Sequence, residues 1–386
     1  MNQQIKKIIV VIIFVQFIPS LFAFFLFFND GSYVVERLHY NLDFQSLIYA
    51  TVLFIFSMFF MFFSFFISRR SIKPINIKET RYSLFILVLQ ILFFIANFHY
   101  GTNVAGVSDK KMPGFISYFF ILFNPDMLFV IYLFLTEKSK LKYTNIFIYL
   151  ISMITRGWMG GFLYIIIYLL LTAKITRKNI FNLFVLFLFF LAILPFIINA
   201  KWAFRSLEPS VVLSAIFHVE NYFSQLLDAL SYVVLRLQSL SSLIFIIDNQ
   251  NIINSDVIKP YWLEGNFQLI ILKLLSIDLP SLNNYLVTHV MGYKNALWNI
   301  QTGCFSWVII SPFDLFIYFY VFFIIFIGNA MRVIRHSYLM QSFFLYVIFS
   351  RLFVGWFSAY WDVMISLIVT SLLLSLFFTN KSRRVL

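Results

Sequence analysis

Long uninterrupted apolar runs recur along the whole chain, and they restrict its fold more than any motif does. Runs such as Ile8–Phe28 and those near 46–67, 83–99 and 114–135 reach about 17 to 24 residues. That length crosses about 30 Å of hydrocarbon as a helix. Composition agrees: 61% of the 386 residues are apolar, Phe alone contributes 53, and 12% are charged, against about 25% in soluble domains. The expected fold class is all-α, a polytopic integral membrane protein. The residue-by-residue alternation of an outer-membrane barrel is absent. The first run follows Lys6 and Lys7 as a signal peptide would. It is too long for a signal h-region and lacks a small-x-small cleavage site, so it reads as a retained first span.

Hydropathy places about ten spans near 8–28, 46–67, 83–99, 114–135, 143–155, 157–173, 180–199, 305–328, 338–350 and 362–379. Three regions follow: an N-terminal bundle of about seven spans over 1–199, a large loop with amphipathic helices over 200–303, and a C-terminal bundle over 304–386. With the N-terminus placed in the cytoplasm, the inner segments hold 18 of the 29 basic residues but only two of the 16 acids. This is the positive-inside pattern, with both termini cytoplasmic. The net charge of +13 is thereby a topology signal, and no nucleic-acid partner is expected. The single cysteine, Cys304, excludes an internal disulfide and reads as a packing residue. No Cys/His cluster has metal-binding spacing, and there is no G-x-x-x-x-G-K loop or Asp-x-Asp pair. No metal or cofactor is expected.

Function is expected on the nearly neutral outer face. Val211 to Ile247 reads as one long helix, preceded by Trp202 and Phe204, which suit the membrane interface, and by Arg205. At about 100° per residue, Ser214, His218, Asn221, Gln225, Asp228, Tyr232, Arg236 and Ser239 fall within a sector of roughly 80°. That stripe is either the wet face of an interfacial helix or the polar wall of a carbohydrate cleft. Further on, Tyr261 and Trp262 stand beside Glu264, a mixture of aromatic faces and hydrogen-bonding groups that suits sugars. His289 lies in a late loop, "LVTHVMGYKNALWNIQTG".

Arginines give the sharper signal. "MITRGWMGGFLYI" turns from a 13-residue ascending leg, which rises about 20 Å, so Arg156 sits below the outer surface. An arginine there is a functional candidate by default, and Gly157, Gly160 and Gly161 allow close backbone approach. Its bland alternative is snorkelling to headgroup phosphates. "YVIFSRLFVGWFSAYWDV" repeats the arrangement with Arg351. With Arg205 and Arg236, several guanidiniums from separate elements suggest an anionic ligand partly inside the membrane, such as a lipid pyrophosphate.

On these residues the chain resembles the O-antigen polymerase family, Wzy-type polymerases of lipid-linked oligosaccharide repeat units. "TRGWMGG" is similar to the family's Arg-Gly turn before a glycine-containing span. "NIQTGCFSWVIISPFDLFIYFY" is similar to its Asn…Thr-Gly segment after the large loop, with "SPFD" standing where the family often has Phe-Gly. The resemblance implies a metal-independent glycosyltransferase of the bacterial inner membrane. It would transfer a growing chain from undecaprenyl pyrophosphate to a new carrier-linked repeat unit, and a chain-length regulator is an implied partner. In that chemistry Arg156 and Arg351 would stabilise the leaving group. His289 is the first candidate for the base, because histidine exchanges a proton near neutral pH. Arg205, Arg236, His218, Asp228, Trp262 and Glu264 would bind substrate, with His218, Glu220 and Glu264 as alternative bases. A flippase or transporter of lipid-linked oligosaccharide stays open, although it ordinarily shows internal repeats that are absent here. A ligase joining polysaccharide to a lipid core shares the architecture.

Overall fold

The structure is a computed structural model that describes residues 2–35, 38–68, 72–73, 79–103, 112–136, 140–158, 160–173, 181, 185, 188–199, 214, 217, 221–293, 300, 302–311, 333–353 and 357–377. It is mostly helical. The first run forms α1 (Gln3–Asp30), continuous through a π segment at Ile13–Phe17. A hairpin follows, β1 (Ser32–Val35) against β2 (Leu38–Asn41), with Val34 opposite His39. This hairpin adds a little strand to a mostly helical fold: "SYVV" and "LHYN" are rich in the branched and aromatic residues that favour strands. Next come α2 (Phe44–Ser68), α3 (Glu79–Tyr100), α4 (Gly114–Leu122), α5 (Pro125–Leu135), α6 (Lys142–Thr155) and α7 (Gly160–Thr172). The later helices are α8 (Leu188–Asn199), α9 (Tyr222–Leu237), α10 (Leu240–Asp248), α11 (Asn266–Leu274), α12 (Leu282–Tyr285), α13 (Gly303–Ile310), α14 (Tyr338–Val347) and α15 (Phe357–Phe377).

Among the described residues three helices are long and apolar enough to cross a membrane: Gln3–Asp30, Thr80–Tyr100 and Gly114–Leu135. Shorter apolar helices, such as Gly160–Thr172 and Tyr338–Leu352, pack beside them. α5 and α14 form the centre. Leu128 to Leu135 and Leu339 to Val347 are buried on every face, as expected of helices apolar all round. Around them α1, α2 and α3 turn Phe14, Phe22, Phe59, Phe63 and Phe98 outward, an exposed apolar surface that suits lipid. Inside, helices are tied by polar side chains, as in membrane bundles. Gln90 donates to Asn145 (2.9 Å), Asn145 to the Ser83 carbonyl (3.1 Å), and Ser83 meets the Tyr132 hydroxyl (2.5 Å).

Three contacts group the basic segments at one end. The Lys7 amine caps the last turn of α7 through the carbonyls of Leu170, Leu171 and Ala173. Lys142 donates to the Thr136 carbonyl and the Tyr168 hydroxyl, and the Lys73 amide to the Arg335 carbonyl. Each contact joins segments that charge counting puts on one side.

Three expected elements carry an interruption. The run 114–135 stands as one candidate span, Gly114–Leu135, interrupted at Phe123–Asn124: the Asn124 side chain accepts from the Met127 amide, with Pro125 at the first helical position, a strong start signal. The single helix expected over 211–247 bends by 62° between Leu235 and Leu240. There the Gln238 side chain caps α10 through Ser241; residues 211–213, 215–216 and 218–220 lie outside the described ones. The run 305–328 ends its helix at Ile310, because Ser311 precedes a proline and takes up a non-helical conformation (ψ 76°). Residues 312–332 lie outside the described ones.

Candidate functional site

Two features stand at the end of the bundle opposite Lys7 and Lys142. The first is an arginine–tyrosine cluster. Arg156 ends α6, and Asp126 lies in the first turn of α5, its antiparallel neighbour. They form a bidentate pair at 2.9 and 2.8 Å. The Arg156 Nε also donates to the Ser152 carbonyl (2.9 Å), and the guanidinium lies 4.9 Å from the centre of the Phe93 ring. Arg156 is 4% exposed. Its charge is thus paired with a partly buried carboxylate, which corrects the expectation of a free cation or of snorkelling to headgroups. The glycines behave as expected of close approach: a Cβ at Gly161 would stand 2.5 Å from the Tyr149 hydroxyl and 2.9 Å from the Met153 sulfur. Gly157 turns the chain at φ +68°, a region that favours glycine.

Arg351 is different. It lies in a π segment, Ile348–Phe353, that continues α14; π segments recur at functional sites. Gln16, in the π segment of α1, takes the Phe349 carbonyl at 2.9 Å. The Arg351 Nε donates to the Tyr164 hydroxyl (2.9 Å), with the guanidinium 5.4 Å from that ring's centre. Among the described residues no carboxylate pairs with it, and no group accepts a hydrogen bond from its two terminal nitrogens. Tyr346, whose ring centre is 6.0 Å from that of Tyr164, lies within its electrostatic reach. So do Tyr149 and, more weakly, Asp362. The Tyr149 hydroxyl is buried with no hydrogen-bond partner among the described residues. Asp362 instead holds the start of α11, accepting from the Asn266 amide (3.4 Å) and side chain (2.7 Å).

The second feature is a cleft of about 710 Å³ between the hairpin, α8, α9 and α10. Its polar lining includes His39, Asn199, Gln225, Asp228, Tyr232 and Gln238. Three members of the sequence stripe, Gln225, Asp228 and Tyr232, face it, so this part of the stripe walls a cleft. Among the described residues no lysine or arginine lines it, and Asp228 is the one carboxylate. Such a lining suits hydroxyl-rich ligands. α10 and the 348–353 segment both pack on α13, so the cleft and Arg351 flank one short helix.

The remaining candidates are scattered. His289 is exposed, stacked on Tyr285 (4.6 Å) and bonded to Thr288 (2.8 Å); it touches neither feature. Glu264 is buried and accepts the Leu282 amide at 3.3 Å, which removes it from an open binding surface; burial pushes its carboxyl up to about 8. Arg205, His218 and Glu220 lie outside the described residues, as do the side chains of Arg236, Trp262 and Cys304. Sequence reasoning missed Asp126, Tyr149, Tyr164, Asp362 and His39. A signal existed for the two acids, since carboxylates within or beside apolar runs are functional candidates. The tyrosines had none among 21 in the chain. No protein-family model, no curated protein and no solved structure matches this chain.

Proposed function

We propose that this chain is a polymerase of undecaprenyl-pyrophosphate-linked oligosaccharide repeat units, a metal-independent glycosyltransferase of the bacterial inner membrane. It has about ten spans, cytoplasmic termini and its working face on the periplasmic side, where the 200–303 region lies. The observation that carries the reading is Arg351. A guanidinium set in the apolar bundle, aimed by Tyr164 and matched by no carboxylate among the described residues, is prepared for an anion that arrives within the membrane. A pyrophosphate on a lipid carrier has that charge and that depth. As the glycosidic bond to the carrier breaks, charge grows on the leaving phosphate, and a preoriented donor stabilises it without reorganisation. Arg156 serves by holding α5 against α6 and so fixing Tyr149 and α7 beside Arg351. The cleft, whose polar lining among the described residues is uncharged apart from Asp228 and His39, suits the saccharide part. A chain-length regulator is the expected partner.

The test is the glycan profile of a strain lacking the gene. The polymerase reading expects product with a single repeat unit in place of a ladder. Loss of every repeat-bearing product points instead to flippase or ligase. Arg351→Ala should reproduce the single-repeat profile with normal membrane insertion.

A further inference from the structure

The histidine at the saccharide cleft is His39, a residue of the first hairpin and outside the large loop. Its position is fixed by packing on its strand neighbours. Tyr40 stacks on Tyr33 (5.6 Å) and meets Phe245 of α10 (5.2 Å), while the Tyr33 hydroxyl donates to Asp248 (2.9 Å). Anchoring Tyr40 to α10 fixes this strand, and its neighbour His39 lines the cleft with Asp228 of α9. His39 and Asp228 are both exposed, and neither has a hydrogen-bond partner among the described residues. The remaining walls, from β1, α8 and α10, present Val34, Asn199, Ser241 and Ser242. The α9 and α10 walls are held to α8 and to each other by Asn199–Gln225 (3.4 Å) and Gln238–Ser241.

We propose that this cleft binds the acceptor sugar and that His39 is the general base for glycosyl transfer, opposite Asp228. The assignment rests on the polymerase reading and deepens it. The acceptor hydroxyl oxygen forms the new bond to the anomeric carbon of the donor chain. The old bond from that carbon to the pyrophosphate oxygen breaks, and its electron pair leaves with the carrier pyrophosphate. The acceptor proton passes to a ring nitrogen of His39, and the Asp228 carboxylate offsets the imidazolium until solvent removes the proton. Arg351 and His39 thus divide the work: one takes the leaving anion, the other the incoming proton.

The experiment measures polymerisation in membranes of the deletion strain carrying full-length variants, with lipid-linked repeat units as substrate. His39→Ala should lower kcat by about a hundredfold or more, the usual range for a lost general base. The acceptor KM should stay within about twofold, and added imidazole should restore part of the rate by occupying the vacated space. Asp228→Asn should lower kcat about tenfold. A full ladder from His39→Ala overturns the assignment. So does a rise in KM with kcat unchanged, a loss that imidazole cannot restore, or a kcat loss from His289→Gln with His39→Gln active. The deletion strain separates the two claims. A ladder that survives deletion overturns the polymerase reading, whereas single-repeat product on deletion with an active His39→Ala overturns the base alone.

Discussion

Replacing Arg156 with alanine should damage the fold before it damages any chemistry. The substitution strands Asp126, a carboxylate 17% exposed in the pair, at the buried start of α5. Removing one partner of a buried ion pair costs about 3–5 kcal/mol. Loss of the Ser152 bond and the Phe93 contact adds about 1 kcal/mol each. Asp126→Ala strands the guanidinium and should cost a similar amount. Replacing both with leucine removes both desolvation penalties and should recover most of the loss, because apolar substitutes for buried pairs are often neutral. Thermal unfolding of the detergent-purified protein measures this. Each single variant should unfold roughly 5–10 °C lower, with the double variant nearer wild type and active. If Arg156→Ala keeps wild-type stability yet abolishes polymerisation while Asp126→Ala keeps it, Arg156 is a ligand to substrate and the ion-pair account is refuted.

Other perturbations discriminate locally. Gly161→Ala drives a methyl group against Tyr149 and Met153 and should cost about 1–3 kcal/mol, whereas Gly160→Ala enters open space and should be neutral or stabilising by up to about 1 kcal/mol; paired melting curves decide. Tyr164→Phe removes the bond that aims Arg351 and should lower polymerisation about fivefold, the equivalent of about 1 kcal/mol, with unchanged insertion. Glu264 keeps its proton in the fold up to about 8, against an ordinary 4.5. The unfolded chain ionises first as pH rises, so stability should fall between about 4.5 and 8, by up to about 1.4 kcal/mol per pH unit. Glu264→Gln should flatten that slope in melts taken across the window.

Length and apolarity made the three long helices, Gln3–Asp30, Thr80–Tyr100 and Gly114–Leu135, legible in the sequence, because membrane helices announce themselves that way. The short legs of the Arg156 turn, 143–155 and 157–173, differ little from the helices Lys142–Thr155 and Gly160–Thr172. Breaks inside apolar runs were harder to see: hydropathy averages over Asn124-Pro125, Gln238 and Ser311-Pro312, where capping and proline geometry act on single residues. For the site, sequence could find charges but not their pairings. Arg156 and Arg351 look alike in their local contexts, yet Asp126, 30 residues upstream, neutralises one, and Tyr164, 187 residues upstream, orients the other. His39 was invisible for the same reason, because only the folded hairpin brings it to the α9 stripe.

The most direct test of the central claim is the glycan profile of the deletion strain complemented with wild type, Arg351→Ala or Arg351→Lys. Wild type should restore a ladder. Arg351→Ala should give single-repeat product at normal protein level, a loss of about a hundredfold or more in polymerisation, and Arg351→Lys should recover little, since an ammonium cannot reproduce the bidentate fork. A full ladder from Arg351→Ala contradicts the account.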